Sequence, residues 1–289
     1  MNDIKKICVI GGDMRQKYAA DALRCAGYDV NIFGIENQTD KSKYYTDIEK
    51  AIFEADLVIL PLPFSTDGIK LSCPISKLDI RLDKLCESFS EGQIVAGGKF
   101  TPSFLDKLKN KKCVPLDYFT SERMNILNAI PTVEGAIAVA VNETKITIFG
   151  SKCGVVGYGR IGKILAKTLK NLGADVTVFA RNPVALTWAE AEGYTPQKLS
   201  LLDKNADSLD IIFNTVPSVV IDRITLEKTK KEVLIIDLAS QPGGVDRECA
   251  KELSRKVVFA LSLPGKVAPE TAGKIIASSI ESVLEGGSL

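Results

Sequence analysis

Short apolar runs alternate with helix-length patterned stretches along the whole chain. In the first half, apolar runs at residues 7–10, 30–33, 57–60, 94–96 and 113–116 are separated by helical patterns. One of these ends at Cys25 before Gly27, and others lie around 78–89 and 104–108. In the second half, runs at 153–156, 175–180, 210–217, 233–238 and 257–261 alternate with helical patterns, one from Ile161 to a stop at Gly173 and one up to Ala191. A last pattern opens in residues 263–273 and continues through Val283. Runs of this length, apolar on both faces, predict strands of parallel sheets with helices on both sides and ligands at the carboxyl ends of the strands.

Between the halves, residues 128–142 turn apolar on all sides after Gly135. Pro131 and Thr132 make a good helix start, and an all-round apolar helix suits burial between two domains. The β-branched content fits a strand as well, and the helix is chosen because the segment joins two α/β units. Glu134 would then stand in the first turn, its charge supported by the helix N-terminus. The predicted layout is an N-terminal α/β domain over 1–130, a linker helix over 131–144, a nucleotide-binding domain over 145–273, and a C-terminal helix, about 274–289, that returns to the first domain.

The chemistry is concentrated where the run at 153–156 meets Gly157, Tyr158, Gly159, Arg160, Ile161 and Gly162. In a strand–turn–helix unit the first glycine permits the turn, the second lets backbone approach a pyrophosphate, and the third lets helix pack on strand. The second strand, 175–180, ends in Ala180, Arg181 and Asn182 rather than the Asp or Glu that grips the ribose of NAD. A guanidinium there matches a 2′-phosphate, so the expected cofactor is NADP; the competing reading is a solvated Arg after a strand. Asn214, Thr215, Val216 and Pro217, with Leu238, end two further strands where they could line a cofactor cleft. In the first half, Gly11 to Arg15 lacks the dinucleotide spacing and reads equally as a tight turn capped by Asp13 or as a site for another ligand.

Composition changes this picture at one point. Among 289 residues there is no histidine, which excludes histidine acid–base catalysis and histidine-bearing metal sites for this chain. No metal is expected. A formal net charge of +1 gives no general attraction to nucleic acid or anionic membrane. Seven scattered cysteines read as reduced thiols of a cytoplasmic protein. The N-terminus lacks a signal-peptide core, and no apolar run approaches membrane-spanning length.

The segments 11–16, 130–135, 214–218, 237–244 and 263–273, together with the nucleotide motif and Ala180–Arg181, resemble the A subunits of dipicolinate synthase over nearly the whole chain. The architecture is more distantly similar to D-2-hydroxyacid dehydrogenases and adenosylhomocysteinases, whose catalytic histidine is missing here. The resemblance implies two Rossmann-like or flavodoxin-like parallel-sheet domains joined by interdomain helices. It implies oxidation of a dihydrodipicolinate-type ring to pyridine-2,6-dicarboxylate with reduction of NADP, in the mother cell of a sporulating bacterium and together with a B subunit. Such chemistry needs no strong base, because aromatisation drives it and positioning against the nicotinamide does much of the rest. Candidate substrate and catalytic residues, in a cleft between domains, are Arg15 and Lys266 as cations and Glu134 as base or orienting partner. Each also has a plain surface reading. The apolar linker suggests a homo-oligomer, most simply a dimer. Two other readings remain: another NADP-dependent dehydrogenase of a small carboxylate, or a non-catalytic nucleotide-binding subunit.

Overall fold

The computed structural model describes residues 4–35, 48–76 and 79–285, and divides into two compact units, residues 1–128 with 268–289, and residues 129–267. Unit 1 is built on five parallel strands, β1 Lys6–Ile10, β2 Asp29–Phe33, β3 Leu57–Ile59, β4 Ile94–Gly97 and β5 Val114–Asp117, in the order β2-β1-β3-β4-β5. Unit 2 is built on six, β6 Lys152–Val156, β7 Asp175–Ala180, β8 Thr195–Lys198, β9 Ile211–Asn214, β10 Leu234–Asp237 and β11 Lys256–Phe259, in the order β11-β10-β9-β6-β7-β8. The first order is flavodoxin-like and the second is the doubly wound dinucleotide order. In each sheet the chain reverses direction beside its first strand, between β1 and β3 and between β6 and β9, and ligands bind outside the carboxyl ends at such points.

Both faces of each sheet are buried, which is why the strands read as continuous apolar runs. In unit 2, Val155, Val178, Phe213 and Ile236 face one core with Leu165 and Leu169 of helix Arg160–Asn171, while Val156, Phe179, Ile212 and Ile235 face another with Leu226. Unit 1 repeats this arrangement. Val9, Ile32 and Ile59 pack with Leu23 and Ile276 on one side, and Ile10, Val58 and Val95 with Phe64 and Phe104 on the other. The C-terminal helix Pro269–Leu284 lies close against helix Met14–Cys25: a Cβ at Gly273 would stand 2.8 Å from the Ala19 amide.

The amino ends of the two central strand pairs are pinned in the same way. Asp56 N donates to Lys6 O at 2.8 Å, and its Oδ2 accepts from Lys5 N and Lys6 N at 3.0 and 2.8 Å. Asp210 N likewise donates to Lys152 O at 2.8 Å, and its Oδ2 accepts from Lys152 N at 2.8 Å. Each carboxylate thus registers one central strand against its neighbour at their amino ends.

Four sequence expectations need correction. The linker helix does not begin at Pro131 but runs over Glu122–Glu143, with Pro131 inside it. Its start signal is Ser121, whose Oγ accepts from Met124 N at 3.3 Å. An interior proline costs about 3 kcal/mol. Here burial of Met124 in the core of unit 1 and of Val133, Ala136 and Ala140 in that of unit 2 offsets it, at about 0.8 kcal/mol per buried CH2. It is 22 residues long, and an 18-residue window within it has a mean hydropathy of 1.4, long and apolar enough to span a membrane, contrary to the expectation that no run approaches that length; core contacts account for part of that apolar character, with Ile126, Ile130 and Val141 left exposed. The final helical pattern is two helices, Leu263–Val267 and Pro269–Leu284, because Ala268 precedes a proline and leaves the helical region at φ −144°. The helix expected at 78–89 covers Leu82–Glu87, with residue 78 outside the described residues. Strand β8 has no counterpart in the apolar pattern. It pairs only with β7 at the sheet edge and carries Pro196, so it needs no such pattern.

Candidate functional site

The glycine turn follows β6 in unit 2, at the reversal point. Gly157 has φ +95° and donates to Phe179 O at 2.8 Å, and any Cβ there would run into Thr215 Oγ1. Gly162, in the first turn of helix Arg160–Asn171, lies on the turn so closely that a Cβ would overlap Gly157 O. Gly159 is different: it has ordinary extended backbone at φ −87°, and a Cβ would meet nothing within 4 Å. Two glycines therefore serve the packing of strand, turn and helix, and one leaves space outside it. No side chain caps this helix start, so its first amides face that space. Arg160 is exposed and Ile161 half-buried at the same turn.

Tyr158 turns its side chain away from the turn. Its ring is buried against Tyr194, centroids 6.2 Å apart, and its hydroxyl donates to Glu192 Oε2 at 2.9 Å. Burial, and then the Glu192 carboxylate, push its phenol well above the ordinary value.

Six of the expected cofactor residues, Gly157, Tyr158, Ala180, Arg181, Asn182 and Val216, line one cavity of about 290 Å³. Phe179, Ala185 and Leu199 complete it. Asn182 Oδ1 accepts from Val184 N at 2.9 Å and so caps helix Pro183–Ala191, which keeps the chain at the end of β7 in place. Arg181, by contrast, is exposed and has no hydrogen bond or ion pair with any described residue. No carboxylate stands at 180–182. An unpaired guanidinium at this position is poised for an anion.

On the other side of the reversal point, Asn214 is fully buried and fully engaged. Its Nδ2 donates to Val216 O at 3.0 Å and to Asp237 Oδ1 at 2.8 Å, and its Oδ1 accepts from Val216 N at 3.1 Å. Asp237, equally buried, also accepts from Ala239 N at 3.2 Å and Gly244 N at 2.9 Å. Thr215 donates from both N and Oγ1 to Val156 O, each at 2.9 Å. Asn214 and Thr215 thus fasten the ends of β6, β9 and β10 with their side chains, Pro217 stands exposed beyond them, and Leu238 is buried at the end of β10.

The three residues proposed for substrate differ in setting. Arg15, in unit 1, is only 7% exposed; Asp13 Oδ1 accepts from its Nε at 2.9 Å, and its Nη2 donates to Asp13 Oδ2 at 2.8 Å and Leu62 O at 2.6 Å. Its charge is therefore balanced, and it ties the turn after β1 to the segment after β3. Glu134 is exposed, three turns into its helix rather than in the first, so the support expected from a helix N-terminus is absent. Lys266 is exposed on helix Leu263–Val267, a neighbour of Glu134's helix within unit 2, where a Cβ at Gly135 would press on Leu263. Among the described residues no group of three acidic or cysteine side chains is placed to hold a metal ion.

The comparisons with known proteins divide the chain along the same lines. Residues 6–119 match the N-terminal domain of the dipicolinate synthase A subunit, and residues 133–260 match the NAD binding domain of D-isomer specific 2-hydroxyacid dehydrogenases. The dipicolinate synthase A subunit of Bacillus subtilis is 33% identical over 286 residues, spanning 96% of this chain and 95% of its own. The chain belongs to the family of dipicolinate synthase A subunits. The solved structures of the A subunits from Bacillus halodurans and Bacillus subtilis superpose with TM-scores of 0.87 and 0.86 at 28% and 31% identity. They cover 97% and 99% of this chain, and each match spans 97% of the solved chain. Salmonella D-lactate dehydrogenase, at 17% identity and a TM-score of 0.62 over 98% of both chains, shares the fold. In this family member, unit 2 is a dehydrogenase-type domain for a nicotinamide dinucleotide, and the chain is an oxidoreductase.

Sequence reasoning missed Leu199, which follows edge strand β8, and Ala185, on a helix face with no special pattern. It also missed that Asn214 works through Asp237: the two are 23 residues apart, and only the pairing of β9 with β10 brings them together.

Proposed function

We propose that the chain oxidises a dihydrodipicolinate-type ring to dipicolinate with NADP as the hydride acceptor, as the A subunit of a dipicolinate synthase that works with a B subunit in sporulating cells. The observation that carries the cofactor is the joint geometry of an open Gly159 and an unpaired Arg181 on one side of a single domain. The residues present fit the group. The first amides of helix Arg160–Asn171 would take the pyrophosphate, Arg181 the 2′-phosphate, and Val216 and Leu238 would bound the remainder. When bound, NADP supplies the acceptor for one hydride.

In this reading the ring loses a hydride from one carbon and a proton from its neighbour, and two carboxylates of the substrate must be held meanwhile. Lys266 is the exposed cation offered to a carboxylate, and the exposed Glu134 accepts the proton or passes it to water. Arg15, already balanced by Asp13, contributes by fixing the turn Gly11–Asp13. Support for the substrate comes from the family, whose Bacillus subtilis member carries the name dipicolinate synthase.

Calorimetric titration of the purified chain with NADP and NAD tests the cofactor assignment. NADP is expected to bind at least about tenfold tighter, because a charge-assisted bidentate contact contributes about 1.5 to 3 kcal/mol. Arg181→Asp should lower NADP affinity by that factor and leave NAD affinity similar or better. Equal NADP affinity in parent and variant would remove Arg181 from the site.

A further inference from the structure

We infer that the outer face of helices Arg160–Asn171 and Pro183–Ala191 in unit 2 is a docking surface, and that its occupant is an acidic amphipathic segment of the B subunit. The inference rests on the reading above for the existence of that partner. Helix Pro183–Ala191 is apolar on two sides. Ala185, Leu186 and Ala189 face the core of unit 2. Val184, Trp188 and Ala191 recur at i, i+4 and i+7 on the opposite side, and all three are exposed, Val184 at 64% and Trp188 at 56%. A helix apolar on both sides suits burial on both, and the described residues cover only one. The uncovered side carries the chain's single tryptophan, the residue type most enriched where interfaces are anchored.

Charge says what covers it. Helix Arg160–Asn171 holds four basic residues and no acidic one. Three of them, Lys163, Lys167 and Lys170, form one row at i, i+4 and i+7. Lys163 Nζ stands 5.9 Å from the centre of the Tyr158 ring and Lys170 Nζ 5.1 Å from that of Tyr194, so aromatic faces hold both ends of the row. The row flanks the apolar stripe: Lys170 Nζ donates to Glu192 O at 2.7 Å and to Gly193 O at 3.1 Å, at the end of the helix that carries Trp188. None of the three lysines forms an ion pair with a described residue. Glu190, the one acid of the second helix, is two residues from Trp188 and so on a different side. An apolar stripe beside an unneutralised row of cations is complementary to a helix that carries an apolar stripe beside carboxylates. A two-fold contact between copies of the chain would instead set two cationic faces together.

The single tryptophan reports directly on this face. Trp188 emission of the purified chain is expected to be that of an exposed indole and to shift to the blue when the B subunit is added. A Trp188→Phe chain, which has no tryptophan, supplies the blank. Binding of the B subunit, followed by calorimetry, should weaken as salt is raised and fall at least about tenfold in Lys167→Glu but not in Lys167→Arg. Both Lys167 variants should melt with the parent and bind NADP as it does. A B subunit that binds without moving the Trp188 emission, or that binds Lys167→Glu as tightly as the parent, overturns the inference and leaves the partnership standing. A B subunit that does not bind the chain overturns the partnership, and the inference with it. A blue shift produced by concentrating the chain alone, or by anionic phospholipid vesicles without the B subunit, gives the face another occupant and overturns the inference as well.

Discussion

Gly159 and Gly162 belong to one motif, yet they answer to different forces. A side chain at 162 must displace the Gly157 carbonyl, so Gly162→Ala is expected to destabilise unit 2 by about 1 to 3 kcal/mol, the usual cost of overpacking. Gly159→Val meets nothing and keeps an allowed φ, so it should cost no more than about 1 kcal/mol, from a poorer helix cap. It fills the space that the pyrophosphate needs, and NADP affinity should fall at least about tenfold. Paired melting curves and titrations check both; a Gly159→Val chain that binds NADP like the parent would separate the motif from the cofactor. At this scale the sequence was legible where a residue type is forced by backbone, as at Gly157, whereas at Arg181 it left a phosphate partner and a solvated surface residue both open, and an exposed, unpaired guanidinium fits either. It was not legible at Arg15, because whether a guanidinium faces solvent or is spent on Asp13 and Leu62 O depends on a loop 47 residues away.

Elements were legible as far as apolar pattern determines them. Strands buried on both faces stood out, whereas β8 did not, since an edge strand with a proline is held by its neighbour rather than by its own composition. Pro131 misled for the complementary reason: local propensity marks it as a start, and burial of the helix in two cores overrides that. β11, half-buried, was displaced by one or two residues at each end. The pins at the amino ends of β1 and β6 yield an acid-stability prediction. The Asp56 carboxyl is held below its ordinary 3.8 by the amides of Lys6 and Lys5. Burial acts to raise the Asp210 carboxyl, but the Lys152 amide and the Lys230 ammonium, 2.6 Å away, lower it overall. A carboxyl depressed on folding stabilises above its unfolded value and ceases to do so as pH falls through the folded one. Asp56→Asn and Asp210→Asn should therefore each cost about 1 kcal/mol at pH 7, and the gap to the parent should close as pH drops below about 4. Denaturant midpoints at pH 7 and pH 3 check this, and a gap that persists unchanged at the lower pH would contradict it.

For the whole molecule, the two-unit plan followed from strand counting, but its boundaries did not, because the crossing helix begins nine residues before the proline that seemed to start it. That helix leaves Ile126, Ile130 and Val141 at 44%, 42% and 60% exposure, an apolar surface suited to a second copy of the chain. Light scattering at micromolar concentration is expected to show a dimer, and a monomer would contradict that expectation. The reaction proposed for the chain is a hydride transfer from the ring to NADP. Its most direct measurement is the stoichiometry of NADPH and pyridine-2,6-dicarboxylate formed from dihydrodipicolinate by the purified chain, with its B subunit present. One NADPH per dipicolinate is expected, with both formed more slowly by Gly159→Val at limiting NADP. Dipicolinate formed without reduction of NADP, or at the same rate when the cofactor is omitted, would contradict it.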